Sequence, residues 1–439
     1  MVGPNRSNLS AHWMPFTANR AFKDDPRIIE RAEGCYFYTP DGRKAFDGLS
    51  GLWCSGAGHC RSEIAEVVAT QLGRLDYSPG FQFAHPLSFE LAGRIVELMP
   101  EGLSHVFFTN SGSECADTAL KIARAYWREA GRPNKTKLIG RIKGYHGVNV
   151  GGTSVGGIGP NRVQYGSLMD ADHLASTLLA ENAFSKGLPQ YGAHLADELE
   201  SLITLHGPDN IAAVMVEPLS GAAGVVVPPA GYLQRLRAIC DRHEILLIFD
   251  EVITGLGRVG STTGAEEFGV VPDILNLAKQ ITNGAIPLGA VVVSTEIYEA
   301  FMAAPRPAHA VELAHGYTYS AHPVACAAGI AALDILASDD LIARSRSLAP
   351  VFESGLHGLK DAPHVCDIRN YGLAGALQLD ARDADPTLRP WDVGLAMWER
   401  GYYVRWGGDT VQLGPPFVSE PPELDGLFAA LDEVLRALP

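Results

Sequence analysis

The chain has 439 residues, 46% hydrophobic and 19% charged, with 47 glycines and 28 prolines spread along it. This is globular composition, long enough for a large core and two or three domains. The 50 acidic and 35 basic residues give a formal net charge of −15, and the basic ones form no long run, which argues against nucleic acid or an anionic membrane as a partner.

The first 60 or so residues are turn-rich, with short strand candidates at Cys35–Tyr38 and Lys44–Phe46. From about residue 65 to 335, apolar runs and helical patterns alternate. His105–Thr109 reads as a strand and Glu114–Glu129 as a helix, with Ala116, Leu120, Ala123 and Trp127 on its apolar face. Further buried-strand runs are Ile211–Val216, Ile245–Phe249, Ile274–Ala278 and Val291–Val293, with helical patterns at Tyr232–Arg242 and Pro323–Ala337. Continuous apolar strands separated by helices predict an α/β fold whose mostly parallel sheet is covered by helices on both faces. After about residue 340 a helix comes first, then short strands around Ala374–Gln378 and Tyr402–Arg405, as in a smaller α+β domain. The expected division is 1–64 as an N-terminal segment serving the small domain and the active site, 65–335 as the large domain, and 336–439 as the small one.

Two motifs tempt and fail on context. Gly255-Leu-Gly257-Arg-Val-Gly260 is a GxGxxG after a strand, but Ser261-Thr-Thr-Gly264 follows the third glycine in place of a long helix pattern, and the nearest later acids fall at Glu266, Glu267 and Asp273. Gly152-Thr-Ser154-Val-Gly156 is a GxSxG whose glycine-rich flanks predict a loop, not a strand–turn–helix. The seven cysteines (35, 54, 60, 115, 240, 326 and 366) are scattered, and without CxxC or HExxH they predict neither a disulfide framework nor a metal site. With no signal-peptide core and no long apolar span, the expected location is the cytoplasm.

Thr109-Asn-Ser111-Gly112-Ser113-Glu114 joins a strand to the long helix. Ser111 and Glu114 fit a capping box, and the free N–H groups of such an end also suit a phosphate. Asp250 ends the most apolar run of the chain, at the carboxyl end of a strand where α/β sheets bind ligands. There it could cap a helix, bind a metal, or partner a cationic ring. Lys279 follows 29 residues later and is the only formally charged residue between Asp273 and Glu296. Both can project into one crevice. A lysine for a Schiff base, an aspartate for a ring nitrogen and a helix end for phosphate together suit pyridoxal 5′-phosphate.

Leu246–Arg258 and Pro272–Lys279 resemble the class III aminotransferases, which are fold-type-I, pyridoxal-phosphate-dependent transferases. The resemblance continues through Asn110–Glu114, Gly144-Tyr145-His-Gly147, Val216-Glu217-Pro218 and His315–Ser320, over essentially the whole chain. Ala11–Arg20, Leu49–Trp53, Asp76–Pro79 and Tyr403–Thr410 are most similar to ω-amino acid:pyruvate, or β-alanine:pyruvate, aminotransferases. The resemblance implies that Lys279 forms the Schiff base and Asp250 pairs with the pyridinium nitrogen. Val252 and Tyr145 would take the two ring faces, Glu217 would orient the ring or Tyr145, and Ser111, Gly112 and Ser113 would surround the phosphate. It also implies that Thr318 reaches the phosphate of a neighbouring subunit in a homodimer with shared sites, with pairing into tetramers left open. Phe16 and Trp53 become substrate-pocket walls and Arg405 the substrate-carboxylate arginine. The implied reaction moves an amino group from an ω-amino acid or amine to pyruvate. Another donor (taurine, a diamine or 4-aminobutyrate) or an aminomutase are the alternatives. Leu313-Ala314 stands where an aromatic residue is expected, and Trp406 where phenylalanine is; either change is expected to alter pocket shape or access.

Overall fold

The computed structural model describes residues 9–166 and 168–439. Seven strands form the central sheet: β4 (Leu103–Thr109), β5 (Lys137–Arg141), β6 (Ala171–Leu174), β7 (Ile211–Val216), β8 (Leu246–Asp250), β9 (Ile274–Leu277) and β10 (Gly289–Ser294), in the order β4-β10-β9-β8-β7-β5-β6. Neighbours from β6 across to β9 run parallel, and only β10 opposes both of its partners. Every residue of β7, β8 and β9 is buried, because helices cover both faces. At about 1.5–3 kcal/mol for each fully buried large aliphatic side chain, these strands anchor the core.

The predicted helix begins at Gly112, two residues early, and runs to Glu129. Tyr232–Arg242 falls as expected, and Pro323 continues to Ser338. The edge strand β6 and its neighbour β5 carry no sequence signal. One is short and polar, and the other has charged ends, with Lys137 paired to Asp170 and Asp172.

Two small sheets flank the large one. One contains β1 (Arg31–Glu33), β2 (Tyr36–Tyr38), β3 (Lys44–Asp47) and β13 (Tyr402–Tyr403); the other contains β11 (Val365–Tyr371), β12 (Ala374–Leu379), β15 (Thr410–Leu413) and β14 (Arg405–Gly407). The single strand expected at 402–405 is therefore two. Val404, 1% exposed, is the pivot where the chain leaves one sheet for the other. N- and C-terminal segments are stitched together by Gly48 N–H to Tyr403 O, Gly414 N–H to Gly48 O and Phe417 N–H to Gly56 O.

The GxGxxG segment is a buried connector, followed only by the short helix Gly264–Phe268. Arg258 within it lies fully buried and donates to Leu373 O, Pro415 O and Ser50 Oγ. The GxSxG segment departs from expectation. It lies in the helix Val150–Val155, where the Ser154 hydroxyl donates to Val150 O and accepts the Met169 N–H, so this serine is a packing group.

Candidate active site

The carboxyl ends of β4, β7, β8 and β9 surround a cavity of about 310 Å3. Asp250 is the last residue of β8. Its Oδ2 lies 2.8 Å from His146 Nδ1, and its Oδ1 accepts the Val252 N–H at 3.2 Å. His146 is 1% exposed and its Nε2 has no hydrogen-bond partner among the described residues. Lys279 follows β9 after one residue, in the left-handed region at φ 52°. That geometry is uncommon for a side-chain-bearing residue and marks a position held by its surroundings. Its Nζ makes no hydrogen bond or ion pair among the described residues. Burial lowers its pKa below the ordinary lysine value, and the negative charge of Asp250, then Cys54 and Glu217, opposes that shift.

Glu217, one residue past β7, is buried and accepts the Tyr145 N–H at 2.9 Å. Burial pushes its carboxyl pKa up to about 7, with His146 opposing and Asp250 reinforcing the shift. Tyr145 lines the cavity, and burial raises its phenol pKa while Arg405 acts against the shift. Arg405 therefore lies within electrostatic reach of both Tyr145 and Lys279.

At the end of β4, Ser111 caps the helix by accepting the Glu114 N–H at 3.2 Å. The return half of the expected capping box is displaced: the Glu114 carboxylate takes the Asn110 N–H and amide, not the Ser111 N–H. The N–H groups of Gly112 and Ser113 have no partner among the described residues. Ser113 Oγ accepts the Val148 N–H at 3.1 Å, which leaves its own hydrogen free to donate. A Cβ on Gly112 would meet Val252 at 2.9 Å, so only glycine lets the helix end close on that residue.

Eight of the residues singled out in the sequence thus line one cavity: Ser111, Gly112, Ser113, Tyr145, Glu217, Asp250, Val252 and Lys279. Four do not line it in this single chain. Thr318 is exposed, and its carbonyl accepts the Tyr77 hydroxyl at 3.1 Å. Phe16 is 71% exposed. Trp53 is buried, its ring packed so closely on Gly414 that a Cβ there would overlap it, with the Arg258 guanidinium 5.6 Å from the ring centre. Arg405 is half-buried and makes no hydrogen bond or ion pair among the described residues, Asp409 included. Trp406 turns to the opposite face of β14, against Gly394 and edge-on to Trp391, while Leu313 packs beside Phe107 on the outer face. Neither departure from expectation lines the cavity. Cys54, Ile253 and Leu288 do, and sequence reasoning missed them together with the role of His146. The only signal for His146 was its place beside Tyr145; its partner lies 104 residues away.

These features satisfy what pyridoxal phosphate requires. Two unpaired N–H groups and a hydroxyl at a helix N-terminus suit its phosphate. A carboxylate supported from behind suits its ring nitrogen, and an unpaired amine with a lowered pKa suits its aldehyde. The site and sheet define a fold-type-I pyridoxal-phosphate transferase.

The family model of the class III aminotransferases matches residues 18–435. Over 432 residues the chain is 64% identical to the β-alanine–pyruvate aminotransferase of Pseudomonas aeruginosa, covering 98% of this chain and 96% of that protein. It is 61% identical, with the same coverage, to the ω-amino acid–pyruvate aminotransferase of Pseudomonas putida. An amine transaminase from an uncultivated Pseudomonas species, solved in its PLP-bound form, superimposes with a TM-score of 0.90 at 37% identity over 97% of this chain and 98% of that one. The ω-transaminase of Pseudomonas jessenii in complex with PMP gives 0.92 at 32% identity, over 99% and 98% of the two chains. The chain belongs to the class III aminotransferases and is a pyridoxal-phosphate-dependent enzyme.

Proposed function

We propose that the enzyme moves the amino group of an ω-amino acid of the β-alanine type to pyruvate, giving a semialdehyde and alanine. The observation that carries this reading is the unpaired Arg405 beside a cavity that already holds Lys279 and Asp250, in a chain 64% identical to a relative named for that pair of substrates.

Bound in the cavity, pyridoxal phosphate supplies an aldehyde carbon that accepts the amino group and a ring that takes up the electron pair of the deprotonated donor carbon. The chain's own residues do the rest. Gly112 and Ser113 donate to the phosphate. Asp250, held by His146 and the Val252 N–H, keeps the proton on the ring nitrogen. Val252 and Tyr145 confine the ring faces, and Glu217 fixes Tyr145 through its backbone. The Lys279 amine, whose pKa burial lowers, would carry the proton between the donor carbon and the aldehyde carbon. Tethering that base in place is worth roughly 7–11 kcal/mol of barrier in well-oriented systems. Arg405 pairs with the carboxylate of pyruvate or β-alanine, and having no partner among the described residues, it can swing aside for an apolar amine substituent.

The same reading makes the enzyme a homodimer that supplies Thr318 across the interface. It is supported by the exposed Thr318 and by the exposed aromatic residues beside its loop: Tyr77, Phe81 and Tyr319. Seven free thiols, four of them buried, suit a reducing compartment and hence the cytoplasm.

The experiment is the visible spectrum of the purified enzyme as β-alanine, then pyruvate, is added. A yellow protein should bleach with the first and recover with the second, releasing one semialdehyde per site before pyruvate arrives. Yellow protein that ignores both would refute the substrate pair. Turnover without pyruvate would replace transfer by an aminomutase.

A further inference from the structure

The loop 315–320 lies against the outer side of the helix Gly112–Glu129 through one chain of side chains. Lys121 Nζ is 2.8 Å from His315 Nδ1, His315 Nε2 is 2.9 Å from Thr118 Oγ1, and Thr118 Oγ1 is 3.1 Å from Tyr317 Oη. Tyr317 Oη in turn is 3.4 Å from the carbonyl of Glu114.

Only one arrangement of hydrogens satisfies this chain. An ammonium can only donate, so Nδ1 must accept and the neutral imidazole carries its hydrogen on Nε2. That hydrogen goes to Thr118, the hydroxyl hydrogen of Thr118 to Tyr317, and that of Tyr317 to the Glu114 carbonyl. Burial and the nearby Lys121 charge lower the His315 pKa, which favours the neutral ring the chain needs. The imidazole also stacks on Phe107, with ring centres 5.3 Å apart and planes 5° from parallel.

Thr318 sits between these anchors. On one side is Tyr317, whose N–H donates to Ser320 Oγ at 3.1 Å, and on the other Tyr77 donates to the Thr318 carbonyl. The Thr318 side chain is exposed and makes no hydrogen bond among the described residues. Its backbone is pinned while its hydroxyl is offered outward. The chain ends at Glu114, in the first turn of the helix whose Gly112 and Ser113 N–H groups face the chain's own cavity.

We propose that the Lys121–His315–Thr118–Tyr317 chain is a positioning device that presents the Thr318 hydroxyl to the phosphate bound in a second copy of the chain, so that one helix serves two cofactor sites. The inference rests on the reading that Thr318 serves a partner's site. Its physical content is preorganisation. A loop already fixed in the single chain has little freedom left to lose when the phosphate binds.

The test is a double-mutant cycle read by absorbance titration of the cofactor-free dimer with pyridoxal phosphate. Thr318→Ala removes the hydroxyl. His315→Phe keeps the stack on Phe107 and breaks the chain. Losing a hydrogen bond to a charged group should weaken cofactor affinity about tenfold in each variant. Because both act through one contact, the double variant should also lose about tenfold, not a hundredfold. Lys121→Met, at the exposed end of the chain, serves if His315→Phe does not fold, and should show the same non-additivity. Wild-type affinity in the chain variants, or multiplicative losses in the double variant, overturns the positioning role. So does a loss that vanishes at high protein concentration in parallel with dimer formation by sedimentation, which marks a merely structural defect. Wild-type affinity in Thr318→Ala alone overturns the underlying reading of Thr318, and the device falls with it.

Discussion

Replacing Arg405 with alanine separates substrate recognition from cofactor chemistry. In the free enzyme the guanidinium makes no hydrogen bond or ion pair among the described residues, so its removal breaks none of these, and thermal stability should barely move. Toward a carboxylate substrate the loss is large. A bidentate arginine–carboxylate pair is charge-assisted, and one hydrogen bond to a charged group is worth about 1.5–3 kcal/mol. Allowing for the hydration that the arginine and carboxylate lose on pairing, a net loss of about 2–3 kcal/mol corresponds to roughly 30- to 150-fold in kcat/KM for pyruvate. An aromatic amine donor with no carboxylate should lose less than about threefold in its half-reaction. Arg405 also lowers the Lys279 pKa, and because the amine must be unprotonated to accept a proton, the acidic limb of the rate profile should lie at slightly lower pH in wild type than in the variant. Single-turnover absorbance with each substrate separately provides the assay. Equal losses for pyruvate and the aromatic amine, or no loss for either, would refute the assignment of Arg405.

Glu217→Gln tests the buried carboxyl whose pKa burial raises to about 7. A carboxyl raised above its unfolded value near 4.5 stabilises the fold fully below that pH and loses this contribution as pH rises through 7. The loss amounts to about 3 kcal/mol by pH 8. The glutamine variant of the cofactor-free protein should therefore show a flatter dependence of urea midpoint on pH between 5 and 8, and an unchanged slope would count against the burial argument. Gly394→Ala places a methyl group into the Trp406 indole and should cost about 1–3 kcal/mol by overpacking. Adding Trp406→Phe should recover part of the lost melting temperature. Failure of that rescue would mean the two residues do not share the contact.

The parts of this fold legible in the sequence are those where burial is total. Ile211–Val216 and Leu246–Asp250 are apolar throughout because helices cover both of their faces, and such runs announce a parallel sheet. Strands β5 and β6 were not legible because β6 stands at the sheet edge and β5 beside it, and polar side chains pair there with one another. The break at Val404 was hidden because two separate strands in two sheets share one uninterrupted extended pattern. For the site, the local signals sufficed: a cap followed by glycine, an acid ending an apolar run, a lysine among neutral residues. Long-range properties did not show. The support of Asp250 by His146 exists only because β8 brings the two together, and the raised pKa of Glu217 is a consequence of burial that no neighbour in sequence reports.

The isolation of Lys279 in sequence has a physical counterpart in its surroundings. Burial from water is what lowers its pKa most, and the negative group that opposes this most, Asp250, is already engaged by His146 and the Val252 N–H. Were Asp250 free to turn toward the ammonium, it would hold the lysine charged and cancel the effect of burial. On the proposed reading of the site, His146, by holding the carboxylate from behind, would serve both ends of the cavity: it would keep Asp250 aimed at the ring nitrogen and keep it from claiming the amine. A histidine with one nitrogen on a carboxylate and the other buried without a partner among the described residues is costly as ordinary core packing, and orienting Asp250 is the return that the proposed reading gives for that cost.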